Sequence, residues 1–167
     1  MKRHSIRVTA RCAHVGPRGR CAKNTTITHP YCGKHTAEVL GLRVAKSRVP
    51  NAGLGLYAVR TFKKGEHIVE YTGQRMSIED YDAKYAQDGL GSYGIEVNAD
   101  TVIDAAKTSS SVARYACDYH GSGKRGPNAR YESDDVKVWI VALKTIRPGE
   151  EIFTDYGHDM HLAIGII

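Results

Sequence analysis

Two sixteen-residue stretches, residues 58–73 and 142–157, repeat one pattern 84 positions apart. The first reads A-V-R-T-F-K-K-G-E-H-I-V-E-Y-T-G and the second A-L-K-T-I-R-P-G-E-E-I-F-T-D-Y-G. In each, a short apolar run leads into a basic stretch, a Gly-Glu turn reverses the chain, and a second apolar run ends in a Tyr close to Gly. Both read as strand-turn-strand units.

The rest of the chain divides around them. Residues 37–50 read as a helix-to-strand connection that docks through Val39, Leu42 and Val44, and Pro50-Asn51 breaks it. Residues 77–88 form the best helical pattern: Ser77 caps it, Asp80 stands at the capping-box position, and Ile78, Tyr81 and Tyr85 share a face, with Gly89 and Gly91 ending it. Strands are expected at 93–97 and 101–104, joined by Asn98-Ala99-Asp100. The run V-K-V-W-I-V-A-L at 136–143 has the character of a central strand. Residues 108–130 are irregular and become glycine-rich, as a site-bearing segment would be. Gly53-Leu54-Gly55 lets backbone turn sharply and approach a ligand. A dinucleotide loop is the rival, but the β-prone L-Y-A-V-R-T-F follows where that fold requires a helix.

Taken in order, N-A-G-L-G-L-Y at 51–57, the first unit, T-V-I-D-A at 101–105, A-R-Y-A at 113–116, P-N at 127–128 and the second unit ending in D-Y-G resemble the SET domain of protein lysine methyltransferases. The resemblance runs from about Arg48 to about Asp159. It implies a mainly β (β-rich α+β) fold of several small sheets with a knot-like C-terminal segment, and S-adenosylmethionine as cofactor. Gly53, Leu54, Gly55, Leu56, Tyr57, Tyr93, Arg114, Cys117, Asp118 and Tyr156 would then surround the cofactor. Tyr156 would be the catalytic tyrosine, with Tyr71 and Tyr131 lining the lysine channel. Phe153, Thr154 and Tyr131 are candidates for setting the number of methyl groups added. Asp155 and Glu151 read as structural partners rather than bases, and Arg114 and Asp104 as an internal pair. The family pattern A-R-F-x-N-H-S-C-x-P-N is broken here: Cys117 and Asp118 replace Asn and His, and about five extra residues precede Pro127. No cysteine follows Cys117, so the zinc segment that often follows D-Y-G in the family is missing. The alternative reading is therefore a catalytically decayed SET fold acting as a nucleic-acid or chromatin-binding adaptor.

Charge splits the chain. Residues 1–50 hold eleven Lys and Arg against Glu38 alone, a balance of +10, whereas the remainder holds 13 against 17, a balance of −4. An acidic main domain suits a lysine-rich protein substrate, a histone tail above all, and a basic leader could contact DNA. No run approaches the roughly 20 apolar residues that cross a membrane, and the start lacks a signal-peptide pattern. The expected setting is intracellular, with the nucleus (a host nucleus for a viral protein) foremost. The compact size and missing zinc segment resemble viral or microbial members.

Residues 1–36 lack apolar periodicity but contain Cys12, Cys21 and Cys32. With His35 they form C-x8-C-x10-C-x2-H, a closed set suited to structural zinc, which supplies folding free energy where a core cannot. His14 and His29 are spare ligands. Metal-free reduced thiols or disulfides are the rivals, though three cysteines leave one unpaired. The expected organisation is a basic zinc knuckle at 1–36, a connection at 37–50, the main domain at 51–159 and an apolar tail at 160–167. That tail would close the channel or bury itself against a second subunit, so a dimer is one option.

Overall fold

The computed structural model describes residues 5–87, 91–158, 160 and 161. The tail at 162–167 and the expected helix end at 88–89 lie outside the described residues.

The N-terminal segment is built from two short ribbons: β1 (Ala10–Arg11) pairs with β4 (Asn24–Thr25) around β2 (Val15–Gly16) and β3 (Gly19–Arg20). Helix α1 (Gly33–Leu40) follows, with Cys32 at its N-cap and Gly41 at its C-cap in the left-handed conformation (φ 70°), where glycine avoids the Cβ penalty. The helix thus spans the expected boundary at 36/37, so the cysteine segment and the connection share one rigid element. Strand β5 (Leu42–Lys46) pairs antiparallel with β6 (Leu54–Ala58). Leu42 is fully buried and Val44 packs on the core, as the apolar spacing predicts, but Val39 is 47% exposed and does not dock.

Strand β7 (His67–Tyr71) leads into β8 (Gln74–Ser77) and helix α2 (Ile78–Tyr85), where the Ser77 hydroxyl accepts from the Asp80 amide as a proper cap. Tyr81 and Tyr85 bury one face of α2 against Val102. Strands β9 (Gly94–Asn98) and β10 (Thr101–Asp104) join β8 in the order β8-β10-β9. After a 3-10 turn at Val112–Tyr115 come β11 (Cys117–Asp118), β12 (Ala129–Ser133), β13 (Val138–Ala142) and β14 (Phe153–Thr154). Strand β13 is central in the sheet β12-β13-β7, matching its β-branched run.

The repeated units do reverse at their Gly-Glu turns, but their strands do not pair within a unit. The Glu66 amide donates to Lys63 O and the Glu150 amide to Arg147 O, with Gly65 and Gly149 at φ 82° and 86°. A Gly at the third turn position with positive φ makes a type II turn, which splays two-residue hairpins instead of closing them. Each unit therefore satisfies its backbone on the other. Gly65 N donates to Ala142 O and Gly149 N to Ala58 O, both at 2.8 Å, while Phe62 and Ile146 exchange both bonds at 2.9 Å. Residues 84 apart take equivalent places about a local pseudo-dyad, and Phe62, Ile146 and Ile152 are fully buried there.

The C-terminal segment is gripped on two sides, giving the knot-like feature. Strand β14 runs parallel to β11, pairing Cys117 with Phe153 and Asp118 with Thr154. On its other flank the Asn128 side chain accepts from Phe153 N at 2.7 Å and donates to Glu151 O at 2.8 Å. Among the described residues no helix is long and apolar enough to cross a membrane.

Candidate active site

A cavity of about 1090 Å³ opens where these elements converge. Gly53 and Leu54 form one wall at the entry to β6, and Gly53 has φ 82°, a backbone state that favours glycine. Arg114, Cys117 and Asp118 form an adjoining wall, and Tyr93 and Tyr156 complete the lining. The Cys117 thiol donates to Leu54 O at 3.4 Å, tying the two walls together. Ser5, Arg7 and Ile27 close a further side; this N-terminal stretch is held by Ile6 N donating to Ala106 O and Thr108 N to Ile6 O. The cysteine-bearing segment thus borders the cavity.

A second pocket of about 70 Å³ adjoins the first. Tyr71, Tyr131 and Tyr156 line it, and Ser92, Tyr93, Arg114, Tyr156 and Met160 are walls common to both. Tyr71 and Tyr131 meet edge-to-face with ring centroids 5.8 Å apart. The Tyr71 hydroxyl donates to Tyr93 O and that of Tyr156 to Ala116 O, each at 2.8 Å, while Thr154 Oγ1 donates to the Tyr131 hydroxyl at 3.4 Å. Tyr156 exposes 37% of its surface, into the cavities it lines, with its hydroxyl deep. Burial pushes the phenols of Tyr71 and Tyr156 well above their ordinary pKa and that of Tyr131 to about 12. They therefore stay neutral near pH 7 and act as dipoles rather than as bases. With its proton spent on Ala116 O, the Tyr156 oxygen presents lone pairs to the pocket.

Three residues expected around the cofactor stand elsewhere. Gly55 lacks a Cβ because the Glu151 carboxylate occupies that space, Leu56 is fully buried in the core, and the Tyr57 hydroxyl contacts Lys46 O and Glu151. Along β6, Gly55 and Tyr57 face away from the side that Leu54 presents to the cavity, while Leu56 packs inward on the core. Glu151 is structural, as expected: it accepts from Ser47 Oγ at 2.6 Å and Arg48 N at 2.9 Å, fixing the loop before Gly53. Arg114 and Asp104 are both paired, but not with each other. Arg114 donates to Ala105 O, Ala106 O and Ser5 Oγ and lies over the Tyr93 ring at 4.1 Å. Asp104 takes Lys84 Nζ at 2.6 Å and the Tyr85 hydroxyl at 2.8 Å. Burial raises the Asp104 carboxyl, but these donors hold it below its ordinary value on balance.

This arrangement, a glycine turn and a D-Y-G tyrosine meeting across a threaded C-terminal strand, is matched by the SET domain profile over residues 53–157. The chain belongs to the SET-domain family. A histone-lysine N-methyltransferase, H3 lysine-4 specific, from Cryptococcus neoformans is 34% identical over 69% of this chain and 8% of its own length. The N-lysine methyltransferase KMT5A-A of Danio rerio is 30% identical over 65% of this chain and 33% of its own. This SET protein thus spans a third or less of those two relatives. A crystal structure of the Chaetomium thermophilum polycomb repressive complex 2 superposes with a TM-score of 0.60 at 24% identity, covering 71% of this chain and 15% of that one, a likeness of fold.

Asp118, which departs from the family motif, is a hub. Its Oδ1 accepts from His120 N and Nδ1 at 2.8 and 2.6 Å, and its Oδ2 from Tyr156 N and His161 Nε2, both at 2.7 Å. Burial pushes its carboxyl up, but the His161 ring, the two amides and the His120 ring hold it below its ordinary value. His120, His161, Ser92 and Met160 were not legible as site residues in the sequence. The local signals are coarse: His120 lies in the irregular segment at 108–130, and Met160 and His161 lie in H-D-M-H after D-Y-G.

In the N-terminal segment, Cys12, Cys21, Cys32 and His35 bring their ligand atoms within 4.8 Å of one another. None of the four cysteines is in a disulfide. His35 Nδ1 lies 3.4 Å from both the Cys12 and Cys32 sulfurs. Burial raises the Cys12 thiol, but the Cys32 and His14 amides and the His35 ring draw it down to about 6. His14 stacks on His35 at 3.8 Å and His29 bonds to Val8 O, so neither spare histidine joins the set.

Proposed function

We propose that this SET domain transfers a methyl group from S-adenosylmethionine to the side-chain amine of a protein lysine, with a histone tail as the foremost substrate. The observation that carries the reading is the junction of the two pockets: the larger has room for a nucleoside-sized cofactor, the smaller is lined by tyrosines, and Tyr156 belongs to both. Gly53, Leu54, Tyr93, Arg114, Cys117 and Asp118 would hold the cofactor, which supplies an electrophilic methyl group when bound. The three tyrosines hold the amine. Free lysine has a pKa of about 10.4, and a narrow, poorly hydrated pocket disfavours its ammonium form. The proton leaves to solvent, since neutral phenols cannot take it, and the Tyr156 oxygen accepts an N–H so that the lone pair faces the larger cavity. Alignment of nucleophile and methyl is then the main contribution of the protein.

The Cys12, Cys21, Cys32 and His35 set suits structural zinc: three sulfurs and an imidazole close a tetrahedron with no open position. The excess of positive charge in residues 1–50 supports DNA contact beside a histone substrate, and a nuclear setting follows from such a substrate. The relatives' names point the same way. The test is transfer of labelled methyl to recombinant nucleosomes by the wild type and by Tyr156→Phe, followed by mass spectrometry of the histones. Incorporation that is lost in the variant is expected. Wild-type cofactor binding without any transfer would favour the adaptor reading instead.

A further inference from the structure

We infer that His161 is a positioning residue for methyl transfer: its ring, bonded to Asp118, holds the C-terminal helical turn so that Met160 completes the wall shared by the two pockets. The inference rests on the reading of those pockets as cofactor and lysine sites.

Residues 158, 160 and 161 are helical, and His161 N donates to Gly157 O at 3.1 Å. The described part of this helix spans about one turn, which has little stability of its own, so its place depends on what its side chains hold. Met160 lines both the large and the small pocket. The neighbouring His161 is buried, and its ring donates to Asp118 Oδ2 at 2.7 Å, with Asp155 Oδ1 3.5 Å away and the His120 ring edge-on at 4.4 Å. Asp118 in turn accepts from Tyr156 N. One buried carboxylate therefore ties together the catalytic tyrosine's backbone, the wall at His120 and the turn that carries Met160.

The same atoms argue against a metal at this cluster. An ionised carboxylate has about four acceptor sites, and four donors fill them: two backbone amides and two imidazoles. A cation could enter only by taking the place of the imidazole protons, which would cost both of those hydrogen bonds. Asp118, which as sequence looked like damage to the family motif, is instead what a histidine latch requires, because an Asn in its place could not accept four hydrogen bonds. A charge-assisted hydrogen bond does the fastening.

The test compares the 167-residue chain with its His161→Ala and His161→Gln variants, the latter's amide nitrogen reaching as the imidazole Nε2 does. Three quantities are read: amide exchange at position 161, bound zinc per chain, and kcat and KM for core histones with S-adenosylmethionine. In the Ala variant, exchange at 161 should rise and kcat fall on the order of 10- to 100-fold, the scale of an ångström-level misplacement, while exchange at Ile140 in the core stays unchanged. The Gln variant should recover most of both. Unchanged exchange and kcat in the Ala variant overturn the inference. So does a Gln variant as impaired as Ala, which would assign the effect to ring packing, and so does loss of one bound zinc per chain, which would make the cluster a metal site. Raised exchange in the Ala variant together with a wild type that transfers no methyl group supports the latch and overturns the reading of the pockets.

Discussion

The two 84-residue-spaced units share one turn and end differently. Around the pseudo-dyad, Phe62 matches Ile146, Gly65 matches Gly149 and Glu66 matches Glu150, bond for bond. Beyond the turns the equivalence slips by one residue: Tyr71 corresponds to Asp155, and Tyr156 to Thr72. Successive side chains in extended backbone face opposite ways. Tyr71 is accordingly a packed wall, 3% exposed, whereas Tyr156 turns into both cavities at 37%. One structural device thus serves twice as frame, and a single-residue offset gives only the second copy a tyrosine that lines both cavities.

The strongest way to break the equivalence is at its centre. Phe62→Ala should destabilise by about 3–5 kcal/mol and Ile146→Ala by about 2–5 kcal/mol, measured by denaturant unfolding. A near-zero value for either would mean that the two units do not brace each other. The offset is sharpened next by activity: Tyr156→Phe should cut kcat on the order of 10²- to 10³-fold, as loss of an aimed polar group does. Tyr71→Phe should cost no more than about tenfold, because a satisfied hydroxyl contributes about 1 kcal/mol. Equal losses in labelled-methyl assays would dissolve the distinction.

Smaller effects probe the turns. Gly65 and Gly149 both have positive φ, and no atom lies within 4 Å of where a Cβ would stand on either. Backbone strain alone then sets the penalty, and Gly65→Ala and Gly149→Ala should each cost about 1–2 kcal/mol. Matching falls in melting temperature are expected, of about 2–4 °C per kcal/mol for a chain this size. The smallest effect lies at Glu66. The Lys63 amide and then Arg60 hold its carboxyl below the ordinary value despite burial. Its contribution is therefore present above the unfolded pKa of about 4.3 and lost as pH falls through the lower folded value. Glu66→Gln should flatten the acid limb of a stability-versus-pH profile, and an unaltered limb would remove the carboxylate from the turn's energetics.

Much of the frame was legible because its causes are local. The Ser77 cap acts on an amide three residues away, the Gly-Glu turns need only a positive φ, and the C-x2-H spacing places two ligands on adjacent turns of chain. The ordered motifs then identified the family and pointed to three tyrosines that line one pocket. Pairing was not legible: type II turns splay strands, so the units had to find partners 84 residues away. Nor was the role of Gly55, whose missing Cβ makes room for Glu151, a residue 96 positions later.

By itself, the sequence determined which segments become strand, turn, helix and cysteine-histidine cluster, since backbone preference and close spacing act over a few residues. Only the tertiary structure decided that Asp118 joins His120, Tyr156 and His161, that Arg114 rests on carbonyls and the Tyr93 ring rather than on Asp104, and that Met160 walls both pockets. Such arrangements are set by which surfaces pack together, and a buried charge takes whichever donors that packing brings within about 3 Å of it.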